Sequence, residues 1–219
     1  MLLLVRHLES NKNIMKQFSS VDDDEILTNN GMLIGDEVAQ DIDFFVNNSG
    51  FCVDKIYCAN SIRAKETAHV IASKLGVKIC AYKELCSNNS GNLRGKSEIE
   101  AEIINPVFMK QLKLFRAGIY SSYDFAKVAN RENKRDFEKR VNECLDEIIK
   151  NDTGSLRIIV LHHSSLTAAI INIARKLYNY PENYYGHVAC ELGHLYLISK
   201  DEIVLCNEPS GALREVRIV

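Results

Sequence analysis

The chain has 219 residues, of which 46% are hydrophobic and 26% are charged, and its net charge at pH 7 is −2. This length suits one sizeable domain or a domain with an insertion, and the composition is ordinary for a globular protein. The near-neutral charge argues against nucleic acid as a main partner, and no apolar stretch approaches the roughly 18 residues of a membrane span. The N-terminal apolar run is shorter than a signal peptide needs, so a cytoplasmic location is expected.

Five apolar runs predict β-strands, and in chain order they are Leu2–Val5, Lys55–Cys58, Val77–Tyr82, Arg157–Leu161 and His194–Ile198. A further stretch, Glu202–Cys206, could form a last strand beside them. Between them, helical periodicity predicts helices at about 31–47, 62–75, 134–150 and 165–178. This alternation is typical of an α/β fold, here a three-layer sandwich whose central sheet is mostly parallel and flanked by helices. The last strand is expected to pair antiparallel with the one before it.

The segment at about 96–131 does not fit this alternation. We predict that it is an insertion, helical in part, within a single domain that spans residues 1–219. Long insertions in compact domains are often functional lids, although a segment that only packs on the domain without a function would explain the same pattern. The segment and its flank carry cations that could bind a second anionic group of a substrate or could form a solvated helix face, namely Lys96, Lys110, Lys113 and Arg116.

The seven cysteines are scattered along the chain without a Cys-x-x-Cys pair. Their odd number and their positions in apolar runs predict reduced thiols rather than disulfides. No cluster of cysteine and histidine has the spacing of zinc ligands, so the sequence predicts no metal site.

Cation-capable side chains follow three of the predicted strands. Arg6 and His7 end the first strand, Arg63 opens the helix after the second, and His162 follows the strand 157–161. Proteins with parallel sheets bind their ligands at the carboxyl ends of the strands. The guanidinium group of arginine can donate two parallel hydrogen bonds to the oxygens of a phosphate group. A histidine between such arginines can be the nucleophile of phosphoryl transfer, and a second can stabilise the transition state. Taken singly, each residue would equally fit a surface ion pair or a core histidine.

Four motifs together resemble the histidine phosphatase superfamily, whose fold is phosphoglycerate-mutase-like. That family carries Arg-His-Gly-Glu-Ser/Thr-x-x-Asn, Leu-Thr-x-x-Gly, Arg-Ala-x-x-Thr-Ala and His-Gly-x-x-x-Arg-Ala. The resemblance runs from Leu3 to about Ala169, with 96–130 unmatched. The matching segments are Arg6-His7-Leu8-Glu9-Ser10-Asn11-Lys12-Asn13, Leu27-Thr28-Asn29-Asn30-Gly31, Arg63-Ala64-Lys65-Glu66-Thr67-Ala68 and His162-His163-Ser164-Ser165-Leu166-Thr167-Ala168.

The resemblance implies a metal-independent hydrolase that acts on a small phosphorylated substrate and needs no cofactor, because arginines and an imidazolium supply the positive charge. The oligomeric state is left open. The implied site residues are His7 as the nucleophile that becomes phosphohistidine, Arg6, Arg63 and His162 as the phosphate pocket, and Ser10, Asn13 and His163 on the substrate side.

Four departures from the family pattern bear on activity. Leu8 replaces a glycine and could narrow the pocket, His163 replaces another glycine, and Ala59 stands where the family has serine. The family's acidic glutamate corresponds to Ser87, which cannot deliver a proton at neutral pH as a carboxyl group can. Glu84 is a tentative replacement, although a solvated surface carboxylate explains it as well; weaker candidates are Glu98, Glu100 and Glu191.

Three functions therefore remain open. The first is a phosphatase, whose activity would be weak on esters with poor leaving groups because general acid catalysis typically supplies about 10²–10⁴-fold. The second is a mutase of the same family, which the missing glutamate disfavours. The third is a pseudo-enzyme that binds phosphorylated ligands without chemistry.

Overall fold

One six-stranded sheet organises the protein. The structure is a computed structural model that describes residues 1–18, 25–117, 127–180, 188 and 190–206. Its strands follow the order β3-β2-β4-β1-β5-β6, with β3, β2, β4 and β1 mutually parallel and the last two strands antiparallel to their neighbours. The predicted strands are confirmed to within one residue at each end. They are β1 (Leu2–Arg6), β2 (Lys55–Ala59), β3 (Lys78–Tyr82), β4 (Arg157–Leu161), β5 (Leu195–Ile198) and β6 (Ile203–Cys206).

Helices flank this sheet, α2 packing on α3 and α6 on α7, which gives the predicted α/β sandwich. The four predicted helices are present, with ends that differ from prediction by no more than two residues. The short helix α1 was not predicted, because five residues are too few to show a helical period. The helices are α1 (Asn11–Met15), α2 (Asn29–Ser49), α3 (Ile62–Leu75), α4 (Glu98–Ile104), α5 (Pro106–Arg116), α6 (Lys134–Asn151) and α7 (His163–Tyr178).

The centre of the core is the pair of strands β1 and β4. Both are continuous aliphatic runs, as expected for parallel strands that are covered on both faces. Leu4 and Val5 are fully buried and pair with Ile159 and Val160. All seven cysteines are free thiols, and five of them are buried.

The segment that follows β1 is fixed to the start of α2. Thr28 caps this helix, since its hydroxyl accepts a hydrogen bond from the Gly31 amide at 2.9 Å and donates one to the Glu9 carboxylate at 2.7 Å. A Cβ atom on Gly31 would lie 2.2 Å from the Glu9 carbonyl oxygen, so only glycine allows this close approach. The Leu-Thr-x-x-Gly motif therefore holds the residues downstream of His7 in place.

The predicted insertion at about 96–131 contains α4 and α5, and residues 118–126 lie outside the described residues. Ser97 and Glu100 form a capping box on α4, and Asn105 caps α5, in which proline occupies the first turn. The two helices build a small apolar cluster that is separate from the main core and consists of Leu93, Ala101, Phe108, Met109 and Leu112. The segment is helical in part, as predicted, and its role as a lid stays a prediction. No helix among the described residues is long and apolar enough to cross a membrane.

Candidate active site

Three adjacent parallel strands bring the predicted cationic residues together. Arg6 is the last residue of β1, Arg63 lies in the first turn of α3 after β2, and His162 follows β4. Because β2, β4 and β1 are neighbours in that order, their carboxyl ends meet at one edge of the sheet. His7 follows Arg6, and its imidazole ring lies 5.0 Å from the ring of His162, measured between centroids.

Arg63 joins the two imidazole rings. Its guanidinium places Nε 3.3 Å from His7 Nε2 and a terminal nitrogen 3.2 Å from His162 Nδ1. The side chain is among the largest fully buried ones in the protein, with 2% of the residue exposed. A buried guanidinium can stabilise a bound anion strongly, because little solvent screens its charge.

Hydrogen bonds fix the tautomers of both histidines. The Nδ1 atom of His7 lies 2.7 Å from the Leu8 carbonyl oxygen, which can only accept, so Nδ1 carries the proton and Nε2 keeps its lone pair. For His162 the assignment is reversed, since Nδ1 accepts from Arg63 and Nε2 donates to the Ser61 hydroxyl at 3.0 Å. One imidazole therefore presents an unprotonated Nε2 atom at the end of β1.

Burial and neighbouring cations keep both rings neutral. The pKa of His7 lies well below its ordinary value of 6.5, mainly because the ring is desolvated and further because Arg63 and Arg6 repel a second positive charge. The pKa of His162 is lowered in the same way, first by desolvation and then by Arg63, His7, Arg6 and Lys12. A neutral imidazole retains the lone pair that nucleophilic attack requires.

Arg6 completes the cationic end of the site. One terminal nitrogen of its guanidinium donates a hydrogen bond to the Cys190 carbonyl oxygen. Its Nε atom is buried and has no hydrogen-bond partner within the part of the chain that the structure describes. Burial lowers the pKa of Arg6, and Glu191 offsets part of this effect. A bound anion would favour the charged guanidinium further.

These residues open into a cavity of about 700 Å³. This volume lies in the range of small-molecule sites and exceeds what a phosphate group alone would fill. Part of its wall is apolar, and the apolar residues that line it are Phe18, Leu93, Phe108, Leu112, Phe115, Phe137, Ala168, Ile171 and Val188.

The residues predicted on the substrate side are placed differently. Asn13 and His163 line the cavity. Ser10 is fully buried and does not belong to the described cavity wall; its hydroxyl and amide both donate to the Asn13 side-chain oxygen, at 2.7 and 3.0 Å. Ser10 therefore orients Asn13, which lines the cavity.

Leu8 does not narrow the cavity, contrary to the concern raised by the sequence. Its side chain is 1% exposed and turns toward α2, where a Cβ atom on Gly35 would lie only 2.7 Å from Leu8 Cδ1. Its backbone N–H donates to the Thr67 hydroxyl at 3.1 Å. The leucine fits because Gly35 leaves space for it, a compensation between distant positions that single-sequence analysis missed.

Ser87 lines the cavity, whereas Glu84 is exposed and does not contribute to the described cavity wall. The structure thus does not bring the tentative acid to the site. The Ser87 hydroxyl is buried and lacks a hydrogen-bond partner among the residues described here. Among the described residues, the carboxylates that line the cavity are those of Glu98 and Glu138, and Glu138 pairs with Lys134.

Arg140 holds the loop that carries Ser87, a role that sequence analysis missed. Its guanidinium donates to the backbone carbonyls of Glu84 at 2.6 Å, Cys86 at 3.0 Å and Ser87 at 3.1 Å. The Glu132 carboxylate accepts from the same guanidinium at 2.6 and 2.8 Å. No sequence motif marks Arg140, since its helical position looks like an ordinary solvated face.

The strand ends of this α/β protein gather two arginines and two histidines around one cavity, an arrangement that suits an anionic ligand. The chain belongs to the histidine phosphatase superfamily (branch 1), whose sequence model it matches over residues 2–200. No curated protein sequence matches it. In the described residues, no group of three or more histidine, cysteine, aspartate or glutamate side chains is arranged to hold a metal ion.

Solved structures share this fold at low sequence identity. A putative alpha-ribazole-5'-P phosphatase from Escherichia coli has a TM-score of 0.68 and 19% identity, with 99% of this chain and 95% of that chain covered. YhfR from Bacillus stearothermophilus has a TM-score of 0.71 and 19% identity, with 95% and 96% covered. A mycobacterial glucosyl-3-phosphoglycerate phosphatase has a TM-score of 0.68 and 14% identity, with 93% and 95% covered.

Proposed function

We propose that the protein is a metal-independent phosphatase that hydrolyses a phosphomonoester through a phosphohistidine on His7. The observation that carries this proposal is the state of the His7 ring. Its Nδ1 proton is directed to the Leu8 carbonyl oxygen, and its unprotonated Nε2 atom lies 3.3 Å from Arg63 Nε. A nucleophile is thereby held beside the cation that would bind its target.

Positive charge for the transferred phosphoryl group comes from side chains and helix ends. Arg6 and Arg63 provide guanidinium groups, and the N-termini of α3 and α7 begin at the same strand ends. A bound dianion next to His162 would favour the protonated form of that ring, which could then donate to an equatorial oxygen. Two of the similar solved structures are named as phosphatases of phosphorylated small molecules, which supports a small phosphomonoester as the substrate.

The reaction takes place in two steps. In the first, the His7 Nε2 lone pair forms a bond to phosphorus while the bond from phosphorus to the ester oxygen breaks. The leaving oxygen keeps the electron pair and takes a proton, from water if no acid is present. In the second step a water oxygen attacks phosphorus, the N–P bond breaks, its electron pair returns to Nε2, and the excess proton leaves with phosphate or solvent.

The leaving group determines how well this site works. Ser87 occupies the position of the family's acid and Glu84 does not line the described cavity, so neither of these two residues supplies the proton of the first step. Aryl and acyl phosphates leave as stable anions and need that proton least. We therefore expect measurable turnover of aryl phosphates and slow turnover of alkyl phosphates.

Single-turnover phosphoryl transfer tests the proposal. Wild type and His7→Ala would be mixed with a radiolabelled aryl phosphate and quenched, and the acid-labile phosphate bound to protein would be counted. We expect label on wild type, none on His7→Ala, and unchanged labelling of His69→Ala, which replaces an exposed histidine on α3. Equal labelling of wild type and His7→Ala would refute the assignment of the nucleophile.

A catalytically silent protein that binds phosphorylated ligands is the second candidate, and the serine at position 87 is the observation that favours it. This candidate predicts that phosphate and aryl phosphates bind to wild type, as measured by calorimetry, without any label or product. Binding that is lost in Arg63→Met would place the ligand in the same cavity.

A further inference from the structure

The second step of the proposed reaction needs a base in the cavity, because the water that attacks the phosphohistidine loses a proton. A positioned base that accepts such a proton typically supplies about 10²–10⁴-fold. A serine hydroxyl, which stands at position 87 where the family has glutamate, does not hold an extra proton at neutral pH. Among the described residues that line the cavity, the carboxylates and imidazoles other than the nucleophile are those of Glu98, Glu138, His162 and His163.

Two of these four groups are engaged by neighbouring side chains. Both ring nitrogens of His162 have partners, Nδ1 the Arg63 guanidinium at 3.2 Å and Nε2 the Ser61 hydroxyl at 3.0 Å. Glu138 forms an ion pair with Lys134. The remaining carboxylate lies on α4, in the insertion, whereas the remaining imidazole begins α7. This imidazole follows His162 directly, so it lies at the strand ends where the nucleophile is.

One face of α7 forms part of the cavity wall, and His163 is its first member. The spacing of the lining positions marks a single helical face, and these positions are 163, 164, 167, 168 and 171. His163 is exposed although His162 is buried, so its ring lies on the open side of this wall, where water has access. Positive charge on His163 is among the causes that lower the pKa of His7, which places the ring within electrostatic range of the nucleophile.

The loop that carries Ser87 packs against the same turn of α7. The Asn88 backbone N–H donates a hydrogen bond to the Ser164 hydroxyl at 3.3 Å, and Ser87 and Ser164 both line the cavity. Positions 87 and 163 are each next to this contact, so they lie near each other on the cavity wall. The family pattern has glycine where His163 stands. The chain therefore lacks a carboxyl group at one of these positions and carries an imidazole at the other.

We propose that His163 is the general base for hydrolysis of the phosphohistidine on His7, an inference that rests on the proposed phosphatase activity. The neutral imidazole of His163 takes a proton from water, whose oxygen keeps the electron pair of that O–H bond and forms the bond to phosphorus. The N–P bond breaks, and its electron pair returns to His7 Nε2. Hydrogen phosphate leaves, and the imidazolium releases its proton to solvent. A neutral ring holds no proton for the leaving oxygen of the first step, so the expected preference for aryl phosphates is unchanged.

Separate measurement of the two steps tests this proposal. The proteins compared are wild type, His163→Ala, His163→Gln and the control His69→Ala, which replaces an exposed histidine on α3. The burst of 4-nitrophenol from 4-nitrophenyl phosphate reports formation of the phosphoenzyme. The loss of protein-bound radiolabel after a chase with unlabelled substrate reports its hydrolysis.

We expect similar burst rates in all four proteins, with decay of the phosphoenzyme about 10²-fold slower in His163→Ala and His163→Gln. Added imidazole should accelerate decay in His163→Ala, where the shorter side chain leaves space for it, with inorganic phosphate as the product. It should not accelerate decay in His163→Gln, whose side chain fills that space. A purely structural role for His163 would slow both steps and would not respond to imidazole.

Three other results would overturn the proposal. Equal decay in wild type and His163→Ala would refute the base and leave the phosphohistidine mechanism intact. Slower decay in Glu98→Gln, with normal decay in His163→Ala, would assign the proton to the carboxylate on α4 instead. A wild type that shows neither burst nor label would refute the proposed phosphatase activity, and the role of His163 with it.

Discussion

Replacing Ser87 with glutamate should place a general acid at the position where relatives in the family carry one. Ser87 lines the cavity, only 7% of the residue is exposed, and its hydroxyl has no hydrogen-bond partner among the described residues. A longer side chain at this position can extend into a cavity of about 700 Å³. Partial burial also raises the pKa of the new carboxyl group above the value that it has in water. A larger fraction of the group is then protonated and can donate a proton to the leaving oxygen.

The backbone around this position should tolerate the change. Arg140 holds the carbonyl groups of Cys86 and Ser87 at 3.0 and 3.1 Å, and these contacts do not involve the side chain being replaced. General acid catalysis typically supplies about 10²–10⁴-fold. We therefore expect Ser87→Glu to raise kcat/KM on an alkyl phosphate by about 10²-fold, with far less effect on 4-nitrophenyl phosphate.

The assay is the dependence of kcat/KM on the pKa of the leaving group, measured with a series of aryl and alkyl phosphates. Wild type should show a steep decline as leaving groups become poorer, and Ser87→Glu should flatten it. Ser87→Gln is the matched control, since it has nearly the same shape without an acidic proton. The pH profile of Ser87→Glu on alkyl esters should also fall at high pH, where the new acid loses its proton.

Two results would refute this reasoning. If Ser87→Glu and Ser87→Gln fold normally and have the same leaving-group dependence, position 87 does not face the ester oxygen. If wild type already hydrolyses alkyl and aryl phosphates at similar rates, another residue donates the proton, and Glu98→Gln and Glu138→Gln would show whether either carboxylate at the cavity does so.

Three further predictions concern stability and the loop. Folding lowers the pKa values of His7 and His162, so near and below pH 6.5 the unfolded chain binds more protons than the folded one. The free energy of unfolding should therefore be largest at pH values above the ordinary histidine pKa of 6.5. At lower pH it should decrease by up to about 1.4 kcal/mol per pH unit for each ring. Urea titrations from pH 8 to 5 would measure this, and an unchanged stability would contradict it; bound phosphate should reduce the loss. Gly35→Ala should destabilise the fold by about 1–3 kcal/mol, since its Cβ would lie 2.7 Å from Leu8 Cδ1, and Leu8→Ala should suppress that cost in a double-mutant cycle. Arg140→Leu should lower kcat/KM about tenfold or more by releasing the loop of residues 84–88, and an unchanged value would mean that the loop is held in other ways.

Most of the fold was predictable because its elements have strong local patterns. The strands β1 and β4 are aliphatic on both faces, and α3 and α6 alternate buried and exposed residues over several turns. The gathering of Arg6, Arg63 and His162 followed from one rule, that neighbouring parallel strands end at the same edge of a sheet.

What could not be predicted depends on contacts between distant positions. Arg140 reaches Ser87 across 53 residues, and nothing in the local sequence of α6 distinguishes this arginine from its exposed neighbours. Lys12 lies on a helix of five residues, too short for periodicity to show which side is buried. The fit of Leu8 requires knowing that Gly35 lies against it.

The small apolar cluster of the insertion has a thermodynamic consequence. Leu93, Phe108 and Leu112 belong to this cluster and also line the cavity, so the side chains that stabilise α4 and α5 also form part of the cavity wall. Local opening of the insertion and occupancy of the cavity are therefore linked, and a ligand on this wall must raise the free energy of opening. Amide hydrogens of α4 and α5 should exchange more slowly when the cavity is filled. Amide hydrogens of β1 and β4 exchange through global unfolding, so the free energy of their exchange should rise only by the overall free energy of ligand binding.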